Sequence, residues 1–379
     1  MPSNSAGRGS GGKRDADVER RKAEHVKVVA ESDVEHRRSA GCSDVHLVHQ
    51  ALPVADLDDV DLSVEFLGRR LQAPFLISAM TGGHAAATPI NAVLARAAAR
   101  HGLAMGLGSQ RAAIRDPALD ATYRVAREEA PDAFLIANIG APQLVRQESG
   151  EPLGVEQLQH AVDMIGADAL AVHLNFLEET VQPEGDRRAR EVPEALARLT
   201  SLLGVPVIAK ETGAGLSRST ALELRRLGFH ALDVGGLGGT SFVAVEAQRA
   251  RVTEDHVKAR LGEVFHDWGI PTAVSVVAAR AAGLPLVATG GVRTGLDAAK
   301  AIALGATLVG MARPFLIAAL DGEAAVEILI AQLFEELRVA VFLSGGRSVR
   351  DLGSADVVLL GQTRRWLDDL GYLEPSSGG

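Results

Sequence analysis

A single cysteine, Cys42, in 379 residues excludes an intramolecular disulfide and any zinc site built on cysteine. A lone buried-type thiol is more often inert than nucleophilic, and its rarity fits a reducing cytoplasm. No run of about 18 apolar residues occurs, so no segment reads as a transmembrane helix. The opening Met1 to Lys13 is rich in Gly and Ser and has no apolar centre, so it reads as a disordered arm rather than a signal peptide. Basic residues are in deficit, 39 Lys and Arg against 48 Asp and Glu. A net charge of −9 argues against general binding to nucleic acid or a membrane surface. Any basic residue that matters is therefore local and aimed at an anionic ligand.

What is present is a repeated unit. A short run of aliphatic residues leads into Gly or polar residues and then into an Ala/Leu/Arg-rich helical stretch. Eight such runs are predicted strands: 75–79, 102–106, 133–138, 169–173, 205–210, 231–234, 286–289 and 306–310. Helical patterns at 91–100, 155–165, 193–203, 220–227 and 296–304 separate most of them. Continuous apolar strands alternating with amphipathic helices imply parallel strands covered by helices. Eight units close into a single-domain (β/α)8 barrel, with an open doubly wound sheet as the rival. Residues 20–70 precede the first strand and are expected to cap the barrel or cross its mouth. Residues 244–277 form an over-long link, and long insertions are often functional. A long helix at 323–342 and a shorter one at 366–373 complete the chain.

Polar residues and glycines collect at the carboxyl ends of the predicted strands, where such barrels carry their sites. Gly290-Gly291-Val292-Arg293 and Gly310-Met311-Ala312-Arg313 follow the last two strands, the usual phosphate cradle of this fold. Gly238-Gly239-Thr240 can complete it. A sugar phosphate would satisfy this cradle as well as a flavin nucleotide. Lys210, at the end of the fifth strand, can stabilise an anionic reduced flavin ring, form a Schiff base, or pair with Glu211 at the rim.

Several short segments in fixed order then resemble one family. They include Arg21-Lys22-Ala23-Glu24-His25, Ala79-Met80-Thr81-Gly82-Gly83, Gly108-Ser109-Gln110-Arg111, His173-Leu174-Asn175, Gln182-Pro183-Glu184-Gly185-Asp186, Lys210-Glu211 and Asp267-Trp268-Gly269-Ile270-Pro271-Thr272. The chain resembles the type 2, FMN-dependent isopentenyl-diphosphate isomerases from about Arg20 to Leu343. The resemblance implies interconversion of isopentenyl and dimethylallyl diphosphate, with FMN kept reduced, typically by NADPH, and Mg2+ at the diphosphate. It implies flavin contacts at Ala79, Met80, Thr81, Ser109, Asn138, Lys210, Gly235 and Thr240. Gly291, Val292, Arg293, Ala312 and Arg313 would hold the flavin phosphate. Arg21, Lys22, His25, Ser109, Gln110, Arg111, His173 and Asn175 would bind the diphosphate, and Glu179 the metal. Glu246, just past Gly238-Gly239-Thr240-Ser241, is a candidate catalytic carboxylate, and Lys210 is a candidate catalytic residue as well. A cytoplasmic homo-oligomer, tetramer or octamer, is also implied. The domain layout that follows is an arm at 1–19, the FMN-binding barrel with its extension at 20–373, and a tail at 374–379.

The match departs at the fourth strand. The family pattern His-x-Asn-Pro-x-Gln-Glu reads here His173-Leu174-Asn175-Phe176-Leu177-Glu178-Glu179. Glu178 thus replaces a substrate-contacting Gln and becomes a candidate acid or base. Ala214 is small and Phe242 stands where Trp is frequent. Two alternatives follow: a paralogue acting on another prenyl diphosphate by proton transfer or cyclisation, and an FMN-dependent 2-hydroxyacid oxidoreductase. A non-catalytic scaffold would not need Lys210, Asn175 and Glu179.

Overall fold

The computed structural model describes Lys22 and residues 24–373. The expected arm and tail, and Arg21, lie outside the described residues. Eight strands build the core: β1 (Phe75–Ile77), β2 (Ala104–Gly106), β3 (Phe134–Gly140), β4 (Ala169–His173), β5 (Val207–Lys210), β6 (Ala231–Asp233), β7 (Leu286–Thr289) and β8 (Leu308–Met311). Each pairs in parallel with its sequence neighbours, and β8 returns to β1 through Val309↔Phe75 and Met311↔Ile77. The sheet is a closed barrel, which removes the open-sheet rival. Closure follows from the sequence: the strands are apolar on both faces and need helices outside and side chains inside.

The interior is filled by an alternation of small and bulky residues, including Ala104, Ala169, Ala171 and Ala231 against Phe134, Ile136, Ile208 and Leu308. Below them lies a two-stranded hairpin, Val64–Phe66 with Arg69–Leu71. Its two-residue loop puts Leu67 and Gly68 at φ 47° and 81°, the left-handed pair that matches strand twist. Val64, Phe66 and Leu71 are buried against the barrel interior, and Phe66 meets Phe134 edge-on at 5.9 Å. The amino end of the barrel is therefore closed by apolar side chains.

The same extension also crosses the opposite end. Residues 24–31 are helical, and the strap that follows runs over the mouth. His36 N–H donates to Gly239 C=O at 2.8 Å and Ala273 N–H to Ala40 C=O at 2.9 Å. Both expectations for residues 20–70, capping and crossing, are met by different parts of the segment. The long link after β6 is not a loop but three helices, Phe242–Val252, His256–Val264 and Thr272–Ala279. A further helix, Phe176–Val181, starts directly from β4. Among the described residues no helix is long and apolar enough to cross a membrane. Cys42 is buried, and burial pushes its thiol up to about 12, so it is unreactive at neutral pH.

Candidate active site

Strand register sets a row of side chains along the mouth. Gly140 pairs with His173, His173 with Lys210, and Lys210 with Asp233. Lys210 Nζ lies 2.9 Å from Asp233 Oδ2 and donates to Glu211 C=O at 3.2 Å. Its partner is thus Asp233, not the Glu211 carboxylate. Asp233 is held in turn by Thr289 Oγ1 and by Gly235 N–H at 3.2 Å. Glu211 Oε2 instead accepts N–H bonds from Thr212, Gly213, Ala214 and Gly215 at 2.5–3.2 Å, fixing the loop after β5. Burial pushes this carboxyl up to about 7, against the pull of those donors and of Lys210.

Two joined chambers open above this row. The larger is lined by Ala79, Met80, Ser109, Asn138, Lys210, Gly235, Thr240, Gly291, Arg293, Ala312 and Arg313. At one end the loops after β6 and β7 meet at backbone distance. A Cβ on Gly239 would stand 2.6 Å from Gly291 N, and one on Gly291, at φ 74°, would stand 2.4 Å from Gly238 O. Only glycine permits this approach. β8 leads through Ala312 into the helix Arg313–Asp321, which has Pro314 in its first turn and no side-chain cap. An anion there meets the positive end of a helix and two guanidinium groups. Ser78 Oγ, buried at the same wall, has no hydrogen-bond partner. This donor set fits the phosphate and ring of FMN. The Val292 side chain is buried in the core, between the cradle residues Gly291 and Arg293.

The Arg293 and Arg313 guanidinium groups converge on Glu35 of the strap, Arg313 Nη1 at 2.9 Å from Oε1. Burial alone would raise this carboxyl, but the two arginines bring it below its ordinary value. The strap is therefore tied by charge to the phosphate cradle, an association that sequence spacing does not show.

The smaller chamber, about 730 Å³, is polar and is lined by Lys22, His25, Thr81, Ser109, Arg111, His173, Asn175, Glu178, Glu179 and Gln182. Lys22 Nζ is anchored by Gly82 C=O at 3.1 Å and Tyr123 Oη at 2.6 Å, and sits 5.3 Å from that ring. Arg111 pairs with Asp186 at 2.9 Å and keeps a buried Nε–H without partner. His173 Nδ1 meets Asn138 Oδ1 at 2.8 Å, and Asn138 Nδ2 donates to Leu107 C=O at 3.0 Å. The amide orientation makes Nδ1 the donor and leaves Nε2 as acceptor. Burial, then the charges of Lys210, Lys22 and Arg111, push His173 down to about 3, so it is neutral at physiological pH. Such a cation-rich pocket fits a diphosphate.

Asn175 Nδ2 donates to Glu178 Oε2 at 3.1 Å and to Glu179 Oε1 at 3.3 Å, while its Oδ1 is buried without a partner. Glu179 Oε2 accepts Asp186 N–H at 2.6 Å. One buried carboxylate and one orphaned amide oxygen fit Mg2+, which keeps several waters and substrate oxygens as ligands. Glu178 stands where the chambers join. His25 does too, with Nε2 2.7 Å from Glu246 Oε1. Glu246 is fully buried and lines neither chamber, so it acts only through His25, and its other oxygen is 2.6 Å from Arg249 Nη1. Gln110 is not brought to the site. Its buried amide donates to Ala161 C=O at 2.7 Å and accepts Asn138 N–H at 3.0 Å, because adjacent residues on this turn point in opposite directions.

The comparisons with known proteins agree with this geometry. The profile described as FMN-dependent dehydrogenase matches residues 16–122 and 118–359. The isopentenyl-diphosphate delta-isomerase of Methanosarcina barkeri is 50% identical over 354 residues, covering 93% of this chain and 95% of that protein. The chain belongs to the type 2 isopentenyl-diphosphate delta-isomerase family. A second isomerase of that name, from Halobacterium salinarum, is 48% identical over 353 residues, 93% of this chain and 96% of that one. The crystal structure of mandelate oxidase superposes with a TM-score of 0.57 at 18% identity, covering 91% of this chain and 98% of that one. This last likeness shows the shared barrel.

Proposed function

We propose that this isomerase-family chain interconverts isopentenyl diphosphate and dimethylallyl diphosphate, with reduced FMN in the larger chamber and Mg2+ at the smaller. One observation carries the reading. The cation-rich chamber opens directly onto the chamber that ends at the glycine and arginine cradle, and His25, Ser109, His173 and Glu178 line both. When bound and reduced, FMN supplies a proton-transfer site without net redox change. Lys210, held by Asp233, supplies positive charge for the reduced ring. Lys22, Arg111 and neutral His173 hold the headgroup, and Glu179 with Asn175 Oδ1 offers oxygen donors to Mg2+. Glu178 holds or releases a proton at the junction, and the Glu246–His25 pair orients the imidazole opposite it. The strap screens the mouth from water.

The alternative oxidoreductase chemistry needs a His base at the carboxyl ends of the later strands. His230 lies at the amino end of β6, where its Nδ1 accepts Val207 N–H at 3.1 Å. A longer prenyl substrate is the other reading, since the wall beyond Glu178 carries the apolar Leu177, Ala214, Phe242 and Val243, although the space there holds little more than one water molecule. Anaerobic incubation of the FMN-loaded, NADPH-reduced protein with isopentenyl diphosphate and Mg2+ tests the proposal, with product read by proton NMR. Dimethylallyl diphosphate is expected. No turnover of the five-carbon substrate alongside turnover of a ten-carbon one would transfer the activity to the longer chain. A cytoplasmic tetramer or octamer, with 20–373 as the folded unit, completes the proposal, and light scattering with limited proteolysis checks it.

A further inference from the structure

A second cluster of donor atoms lies outside both chambers. His36 is on the strap that crosses the mouth. His266 and Asp267 lie in the link after β6, between the helices His256–Val264 and Thr272–Ala279. His266 Nδ1 is 3.1 Å from Asp267 Oδ1, and His36 Nδ1 is 3.7 Å from the same oxygen. One donor atom from each residue lies within 4.8 Å of the others. A tetrahedral ion with bonds of about 2.0–2.1 Å sets its ligand atoms about 3.3 Å apart. The cluster thus needs only small side-chain rotations to close on one ion.

The burial of His36 separates this cluster from an ordinary surface ion pair. Its side chain is 3% exposed, and among the described residues neither ring nitrogen has a hydrogen-bond partner of good geometry, only the main chain of His266 and Gly213 nearby. A buried polar group left without a partner is costly, and native chains rarely retain one without cause. Asp267 is already engaged by Arg37 N–H at 2.9 Å as well as by His266. It stays 22% exposed, which leaves an entry path and room for a water ligand. The other donor group, His25, Glu178 and Glu246, belongs to the active site, and Glu246 is already spent on His25 and Arg249.

We propose that His36, His266 and Asp267 form a binding site for one divalent transition-metal ion of the zinc class, with water as the fourth ligand. Two imidazole nitrogens and one carboxylate oxygen select Zn2+, Co2+ or Ni2+ over Mg2+, whereas the Glu179 site offers oxygen only. The ion fastens the strap to the insertion after β6. Because the strap carries Glu35 and follows directly on the helix that holds His25, the ion fixes the mouth of the barrel without joining the reaction. The site stands independently of the isomerase reading.

The test uses untagged, FMN-loaded protein, stripped with chelator and dialysed against Zn2+ in the presence of excess Mg2+. One Zn2+ per chain is expected by elemental analysis, with X-ray absorption showing two imidazole ligands. His36→Gln and His266→Gln are expected to weaken uptake by roughly 100-fold or more, since even outer-shell changes cost about 10- to 100-fold. Zn2+ is expected to raise the Tm of the wild type and to slow hydrogen exchange at residues 32–40, with Mg2+ doing neither. A wild type that takes up no stoichiometric Zn2+, or Zn2+ whose absorption spectrum lacks two imidazoles, overturns the proposal even if the variants fail to fold.

Discussion

His25 Nε2 and Glu246 Oε1 stand 2.7 Å apart, joining a residue of the amino-terminal helix to a fully buried carboxylate 221 positions later. Burial alone would raise the Glu246 pKa, but the His25 bond and the charges of His25 and Arg249 lower it. Removing the carboxylate leaves Arg249 without its buried partner. Glu246→Ala is expected to cost about 3–5 kcal/mol of stability. Glu246→Gln keeps the shape and is expected to lower kcat by about 10- to 100-fold with flavin content unchanged. Urea unfolding and steady-state assays on the same preparations check both.

His173 gives a pH signature. Its folded pKa, about 3, lies below the ordinary value of 6.5. The contribution is fully present above 6.5 and is lost as pH falls toward 3, because the unfolded chain takes up a proton that the folded chain refuses. Between pH 6.5 and 5 this amounts to about 2 kcal/mol. Urea titrations at these pH values should show that loss in the wild type and its absence in His173→Gln.

Glu178→Gln is expected to lower kcat on isopentenyl diphosphate by about 100-fold or more, as for loss of a general acid or base. KM should fall as well, since a negative charge beside the diphosphate is removed. A rise in kcat would take Glu178 out of the catalytic set.

Arg293→Ala should weaken FMN binding by about 1.5–3 kcal/mol, the range for hydrogen bonds to charged groups. Fluorescence quenching of FMN by the apoprotein measures it. The deficit should shrink in high salt, as screening removes the charge contribution.

Phe66→Ala is expected to cost about 3–5 kcal/mol through the cavity it leaves under the barrel. FMN affinity should not change, because the hairpin is at the end remote from the site.

Much of this architecture is legible in the sequence. The bounds of β4 and β7 coincide with the predicted runs, since a continuous apolar stretch has sharp polar edges. Strand β2 is shorter than predicted because Gly102 caps the preceding helix in the left-handed conformation at φ 59°. The helix Phe176–Val181 escapes pattern reading because six residues show no period. Thr272–Ala279 escapes because nearly all of it is buried, so it has no polar face to contrast. At the site, the glycine loops and Lys210 are visible as motifs. The Glu35 contact with Arg293 and Arg313, 258 and 278 residues away, depends on the closed barrel and has no local sign. Gln110 misleads for the opposite reason: it lies between two pocket residues yet faces the core.

The hairpin beneath the strands has a kinetic consequence. With Phe66 and its neighbours sealing the amino end, the doorway left among the described residues is at the carboxyl end, and the helix and strap from residue 24 to residue 40 lie across it. On the proposed reaction, reactant and product pass the same threshold. Variants that loosen this segment are expected to speed release and to admit solvent together, so throughput and shielding of the site are coupled by one stretch of chain.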